Sequence, residues 1–284
     1  MMRTRRPMRA MPAYGSAYTR GRGGGGGRLL VGIIIAVMAL ISFFGSRAYN
    51  PVTDETQYVS LTERQEIALG LQAAPEMVRQ HGGEHPDAEL QRLVDEIGFR
   101  LVQNSQVRET EWPFEFTLLR DPETVNAFAL PGGQVFITYA LFSQLETEGQ
   151  LAGILGHEIG HVVARHAAQR IAKSELTNGL TGAVAVASGD ARAAQVAVMV
   201  GQLVNMKYGR DEEIQSDALG VQFMADAGYD PRALIGVMRI LAAASGGGPP
   251  EFFSTHPNPD NRVQRIEAEI EKLFPNGVPE GLIS

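Results

Sequence analysis

The residues His157, Glu158, Ile159, Gly160 and His161 set two imidazoles and a carboxylate at a spacing that chemistry can use. On a helix, side chains four positions apart share a face, so His157 and His161 converge on one point and Glu158 flanks it. A zinc ion suits that point. A carboxylate beside it suits a base that takes a proton from an attacking water. The competing reading is an amphipathic helix that carries two solvated histidines, and the surroundings decide between them.

The helix that must hold these residues has a start signal. Thr147 followed by Gln150 forms a capping-box pattern, and Leu151, Ile154, Leu155, Ile159, Val162, Val163 and Ile171 then recur at helical spacing to about Lys173. Two histidines leave a zinc site incomplete. His166 does not supply the third: the spacing of a three-histidine site falls on Ala167, with Ala164 where such sites have glycine, and His166 lies half a revolution from His157. It reads as an ordinary surface or interface histidine. An acidic route fares better, because the segment Arg210–Ala227 has Ile214, Ala218, Val221 and Ala225 at helical spacing and ends before Gly228. Glu213 and Asp217 are four apart on it. One carboxylate can bind the metal while the other accepts the free N–H of a ligating histidine.

Residues 125–138, VNAFALPGGQVFIT, hold a turn signal at Pro131, Gly132 and Gly133 and then a β-rich run, Val135 to Thr138. Peptidases commonly bind substrate as an added strand on a sheet edge. Asn126, Ala127, Gly133, Val135 and Phe136 are therefore the candidate substrate-binding residues, with a plain hairpin as the alternative.

In order along the chain, NAFALPGG, HEIGHVVARH, GRDEEIQSDALG and STHPNPDNR at 254–262 resemble the gluzincin zinc metallopeptidases that include the HtpX, CAAX prenyl protease and mitochondrial Oma groups. The likeness covers about residues 58–274 and is nearest to bacterial envelope members of the BepA and LoiP type. It implies one zinc ion per chain on His157, His161 and Glu213, Glu158 as the catalytic base, and Asp217 as the partner of a ligand histidine. Ser216 stands where the family pattern has alanine, a small-for-small change. No multi-span membrane chamber is read from the chain, which argues against prenylated substrates, and no helical-repeat tail after the protease domain.

The resemblance also places His256 and Arg262 near the metal, as catalytic candidates. Either could donate to the oxyanion that forms on the peptide carbonyl. Alternatively, His256 takes the open zinc position and holds the enzyme latent, with GGGPP at 246–250 read as a mobile loop before it. Asn258 capping a helix that starts at Pro259 explains the local sequence but not the histidine. HGGEH at 81–85 fits an inverted zinc motif, but Gly82, Gly83 and Pro86 deny it a helix, so it reads as a loop.

Residues 1–28 carry seven arginines, no acidic residue and a five-glycine run, a composition of disorder. Leu29–Gly45 follows without a charge, just long enough to cross a bilayer core. The arginine side stays cytoplasmic, so residues 29–45 read as a single-pass inner-membrane anchor with the catalytic domain facing the periplasm or exterior. The alternative is export with signal cleavage near Ala48. After residue 28 there are 18 basic and 32 acidic residues, which makes nucleic acid an improbable partner. With no cysteine, the chain has no thiolate nucleophile, disulfide or Cys-rich zinc site.

The spacing predicts a linker at 46–57 and one α+β domain at 58–284, mainly α with a small sheet. Its helices fall near 61–80 and 87–104, with strands at 114–119 and 135–138. The HEIGH helix, an Ala- and Gly-rich stretch at 180–207, the Glu213 helix, a helix after Pro231 and a last one from Pro259 to about Phe274 complete it. Residues 174–192 read as a loop over the cleft or a frayed helix. The expected function is hydrolysis of envelope proteins or peptides in quality control. The rival is a non-proteolytic, zinc-stabilised envelope chaperone or adaptor.

Overall fold

The first apolar run becomes α1 (Gly25–Gly45), and its Gly26–Gly45 stretch is long and apolar enough to cross a membrane. A computed structural model describes residues 25–189, 209–244, 251–256 and 261–284. The arginine- and glycine-rich residues 1–24, most of the 180–207 stretch, the 246–250 loop and the Pro259 helix start lie outside them. Within them the architecture is the expected mainly helical domain with small sheets.

Residues 46–57 are not a linker. They form most of a hairpin of β1 (Arg47–Asn50) and β2 (Glu55–Tyr58), with Asn50 and Gln57 buried. The Asn50 amide donates to the carbonyl of Val163 at 2.8 Å and the Gln57 amide to that of Ala164 at 3.0 Å. These are carbonyls left over at the end of the HEIGH helix, so the hairpin serves as its cap.

Two amphipathic helices follow, α2 (Glu63–Gln80) behind a Thr62–Gln65 capping box and α3 (Ala88–Asn104) behind Asp87. The second buries Val94, Ile97 and Leu101 against a three-stranded sheet. In that sheet β3 (Glu115–Leu119) runs parallel to β5 (Gln134–Thr138), and β4 (Ala127–Ala129) runs antiparallel on the other side of β5. The expected edge at Val135–Thr138 is thus the centre of the sheet. All five residues of β5 are buried and both its sides are paired; of the two outer strands, β3 has its far side bridged by residues 83–85, which leaves β4 as the open edge.

A short helix, α4 (Tyr139–Phe142), leads to α5 (Glu148–Val163), whose residues from Gly149 onward are all buried. α5 does not continue to Lys173. The chain turns at Arg165, which has a left-handed φ of 55°, and restarts as α6 (His166–Ser188). Arg165 donates to the buried Glu66 carboxylate at 2.8 Å and to the Leu61 carbonyl at 2.7 Å, contacts distant in sequence that hold an otherwise disfavoured backbone. Residues 174–188 are helical, not a loop.

Across α5 lies α7 (Arg210–Asp226), and the two approach closely because their contact positions are small. A Cβ on Gly160 would fall 3.1 Å from the Ser216 backbone, and one on Gly220 would fall 3.1 Å from the His157 nitrogen. α8 (Ala233–Ala243), α9 (Glu251–Thr255) and α10 (Arg262–Leu273) complete the core with Leu234, Val237, Phe252 and Ile266.

Candidate metal centre

The α5–α7 crossing sets Glu213 one helical turn before Asp217 and aims both at the histidine pair on α5. Ligand atoms of His157, His161, Glu213 and His256 all lie within 4.8 Å of one another, and all four residues are buried. His157 Nε2 is 3.1 Å from His161 Nε2, 3.5 Å from Glu213 Oε2 and 3.4 Å from His256 Nδ1. His161 Nε2 is 3.4 Å from Glu213 Oε1, and His256 Nδ1 is 3.1 Å from the same oxygen. A tetrahedral zinc ion with bonds of about 2.0–2.1 Å has ligand atoms about 3.3–3.4 Å apart. These distances bracket that value, so the donor set fits the ion.

Charge gives a second test of fit. Three buried carboxylates, Glu158, Glu213 and Asp217, face one buried guanidinium, Arg262, an excess of two negative charges when all are ionised. Uncompensated buried charge is costly, and a dication supplies the balance. Both carboxylate oxygens of Glu158 and Oε2 of Glu213 are buried without a hydrogen-bond partner among the described residues. The electrostatics register the same demand. Burial opposes a charge on His157, yet Asp217 and Glu213 raise its imidazole to about 9. Burial alone would push Glu213 up, but the imidazoles of His157, His161 and His256 around it hold it far below the usual carboxylate range. Glu158 has a raised carboxyl because burial outweighs the pull of His256 and His157. It stands 3.6 Å from His256 Nε2.

Each histidine of the motif has its own support. His157 Nδ1 is 2.9 Å from Asp217 Oδ1, and Arg262 grips that carboxylate through Nε at 2.7 Å and Nη2 at 2.8 Å. Arg262 therefore sits behind the ligand, with two of its three nitrogens on Asp217. His161 Nδ1 lies 2.9 Å from Nδ1 of His166, whose Nε2 is 2.8 Å from Gln215 Oε1. Gln215 in turn donates to Glu55 at 2.8 Å.

His166 is thus a correction. It is buried, and burial lowers its imidazole to about 4, so it stays neutral and accepts the His161 proton. Counting along an unbroken helix put it on the far side; the turn at Arg165 brings it back. Gln215 carries no sequence signal beyond lying on the Glu213 helix.

Of the expected substrate residues, Asn126 lines a cleft of about 260 Å³ that also touches Phe128, Ala129, Thr255 and His256. Ala127 lies in the open-edged strand. Gly133 packs against Pro113 and Phe114, and Val135 and Phe136 are sealed in the sheet, so none of the three faces this cleft. His81 ends α2 and pairs with Asp121 at 2.9 Å, while His85 stacks on Tyr139. Neither joins the metal cluster, in keeping with a loop.

Comparison with known proteins agrees with this geometry. The chain is 30% identical over 261 residues to the beta-barrel assembly-enhancing protease of Escherichia coli K12, covering 87% of this chain and 53% of that one. It is 32% identical over 215 residues to a Vibrio cholerae protein named putative beta-barrel assembly-enhancing protease, 72% and 44% of the two chains. It is also 28% identical over 234 residues to the mitochondrial metalloendopeptidase OMA1 of Schizosaccharomyces pombe, 80% and 67%. The chain spans about half the length of the bacterial relatives. The family model for Peptidase family M48 matches residues 84–270, which include the whole metal cluster. The chain belongs to peptidase family M48.

Proposed function

We propose that the chain is a zinc metalloendopeptidase that cuts envelope or membrane-associated proteins. The observation that carries this reading is the buried cluster of His157, His161, Glu213 and His256 with the Glu158 carboxylate beside it. The chemistry zinc supplies when bound is polarisation of a scissile carbonyl and acidification of water. Glu158, its proton affinity raised by burial, takes a proton from the attacking water and returns it to the leaving amine. Asp217 orients His157 and Arg262 fixes Asp217, so Arg262 acts as a positioning residue. His256 fits the role of a fourth ligand that keeps the resting enzyme latent, because its Nδ1 stands among the other three donors.

Substrate binds in this reading as a strand along β4. Hydrogen bonds to β5 use the carbonyl of Asn126 and the N–H of Leu130, so the alternation of an antiparallel pair turns the peptide groups of Ala127 and Ala129 outward. The cleft beside that edge reaches His256. The arginine-rich tail before α1 supports a domain on the outer face of the inner membrane, by the bias of basic residues to the cytoplasmic side. Relatives named for beta-barrel assembly and for mitochondria support substrates in an envelope.

Digestion of casein by the purified chain, with and without a chelator, tests the reading. Cleavage abolished by the chelator and restored by zinc is the expected result. Stable casein binding without cleavage, in enzyme with zinc and a freed latch, would establish the chaperone or adaptor instead.

A further inference from the structure

We propose that α6 enters the bilayer beside α1, so that the chain holds its metal site at the membrane surface through two embedded helices. The inference goes beyond proteolysis and rests on α1 as a membrane span. The packing between α1 and α6 is the most extensive between any two described elements. It is built on small residues: a Cβ on Gly32 would fall 2.8 Å from that of Ala187, and one on Gly179 would fall 2.5 Å from that of Ala39. The helices therefore run antiparallel, with backbones in the close approach that membrane helices use.

Their charges stop at the same depths. On α6 the last charged residues before a charge-free run are Lys173 and Glu175, and Glu175 lies with Ser42, Phe43 and Ser46 at the end of α1. At the other end, Gly189 of the α6 cap meets the guanidinium of Arg28. Between these levels neither helix carries a charge, over about 20 Å at 1.5 Å per residue. That depth covers much of a hydrocarbon core of about 30 Å. The hydroxyls in the run return to the helix's own carbonyls, Thr177 to Lys173, Thr181 to Asn178 and Ser188 to Ala185, as a helix in lipid requires. Asn178 sits within a turn of Glu175, near the interface. Val184 and Val186 are exposed on the helix that packs against α1, whose own large apolar residues from Leu29 to Phe44 are largely exposed, and phospholipid acyl chains are the partner that suits both helices. α6 begins at His166, the support of His161, so its embedding couples the metal site to the bilayer.

The chain has no cysteine, so single-cysteine probes are unambiguous. Full-length Val184→Cys, Ile41→Cys and Lys173→Cys, each checked for retained zinc, are labelled with bimane and reconstituted in phosphatidylethanolamine–phosphatidylglycerol vesicles. The probes on residues 184 and 41 are expected to be quenched by doxyl-labelled lipid and several-fold less by aqueous iodide than the probe on residue 173. Iodide quenching at 184 equal to that at 173, with 41 still lipid-quenched, overturns the proposal and leaves α1 as the one span among the described residues. Iodide access at both 184 and 41 overturns the membrane reading of α1 and the proposal with it. Shielding of 184 from both quenchers assigns that face to protein and also overturns it.

Discussion

His166 accepts the Nδ1 proton of His161 across 2.9 Å, so one ligand of the motif is oriented by a neutral histidine while the other, His157, is oriented by the Asp217 carboxylate. Partners of this kind fix the tautomer and ring plane of a ligand. His166→Ala is expected to lower zinc affinity about 10- to 100-fold, the range typical for such partners. Competition with a chromogenic chelator measures it. Unchanged affinity would show that α5 alone orients His161.

The metal-free site should hold a proton where the ion will go. His157 is raised to about 9 from an ordinary 6.5, by Asp217 and Glu213 against the effect of burial. The folded value is the higher one, so the charged imidazole stabilises the metal-free fold below 6.5, and that contribution is lost as pH rises through about 9. At pH 7 zinc must displace this proton, and about one proton per ion should be released from it. Calorimetric titration in buffers of different ionisation enthalpy reads the number. No release at pH 7 contradicts a protonated His157.

Much of this site was legible in the sequence, because its donors sit at fixed offsets on two helices. The four-residue spacings of His157 with His161 and of Glu213 with Asp217 survive any tertiary arrangement that keeps α5 and α7 helical. His166 was not legible. Its position depends on the left-handed turn at Arg165, which is held by Glu66 and Leu61 from a remote part of the chain. The place of Val135–Thr138 is hidden for a similar reason: the run is long enough to signal a strand, but its rank in the sheet depends on β3 pairing in parallel from the far side. The 46–57 hairpin carries polar residues that bury only because the end of α5 offers carbonyls to them.

The substrate edge should therefore be tested on β4. Ala129→Pro removes an outward N–H and leaves the hydrogen bonds to β5 in place, so KM should rise several-fold with zinc content and thermal stability little changed. Val135→Pro would instead break the central strand and lower the melting temperature. Unchanged KM in folded Ala129→Pro enzyme would move the substrate off this edge.

If His256 is a latch, His256→Ala should raise basal peptidase activity, because the fourth position opens to water. As an oxyanion donor it would give the opposite sign, a fall in kcat of roughly a hundredfold with zinc retained. Initial rates on an unstructured peptide, normalised to metal content, distinguish the two. A fall in rate at constant zinc contradicts the latch.

The most direct test is a paired measurement on purified Glu158→Gln enzyme, zinc content by elemental analysis and turnover of casein in the same sample. Glu158 is not one of the four clustered donors, and its carboxylate stands 3.6 Å from His256 Nε2. The expected result is about one zinc per chain, as in the parent, with turnover reduced by at least about a hundredfold, since a general base is lost while the metal site stays whole. Peptidase activity equal to that of the parent, at equal zinc content, would contradict the assignment of Glu158 as the base and the mechanism built on it.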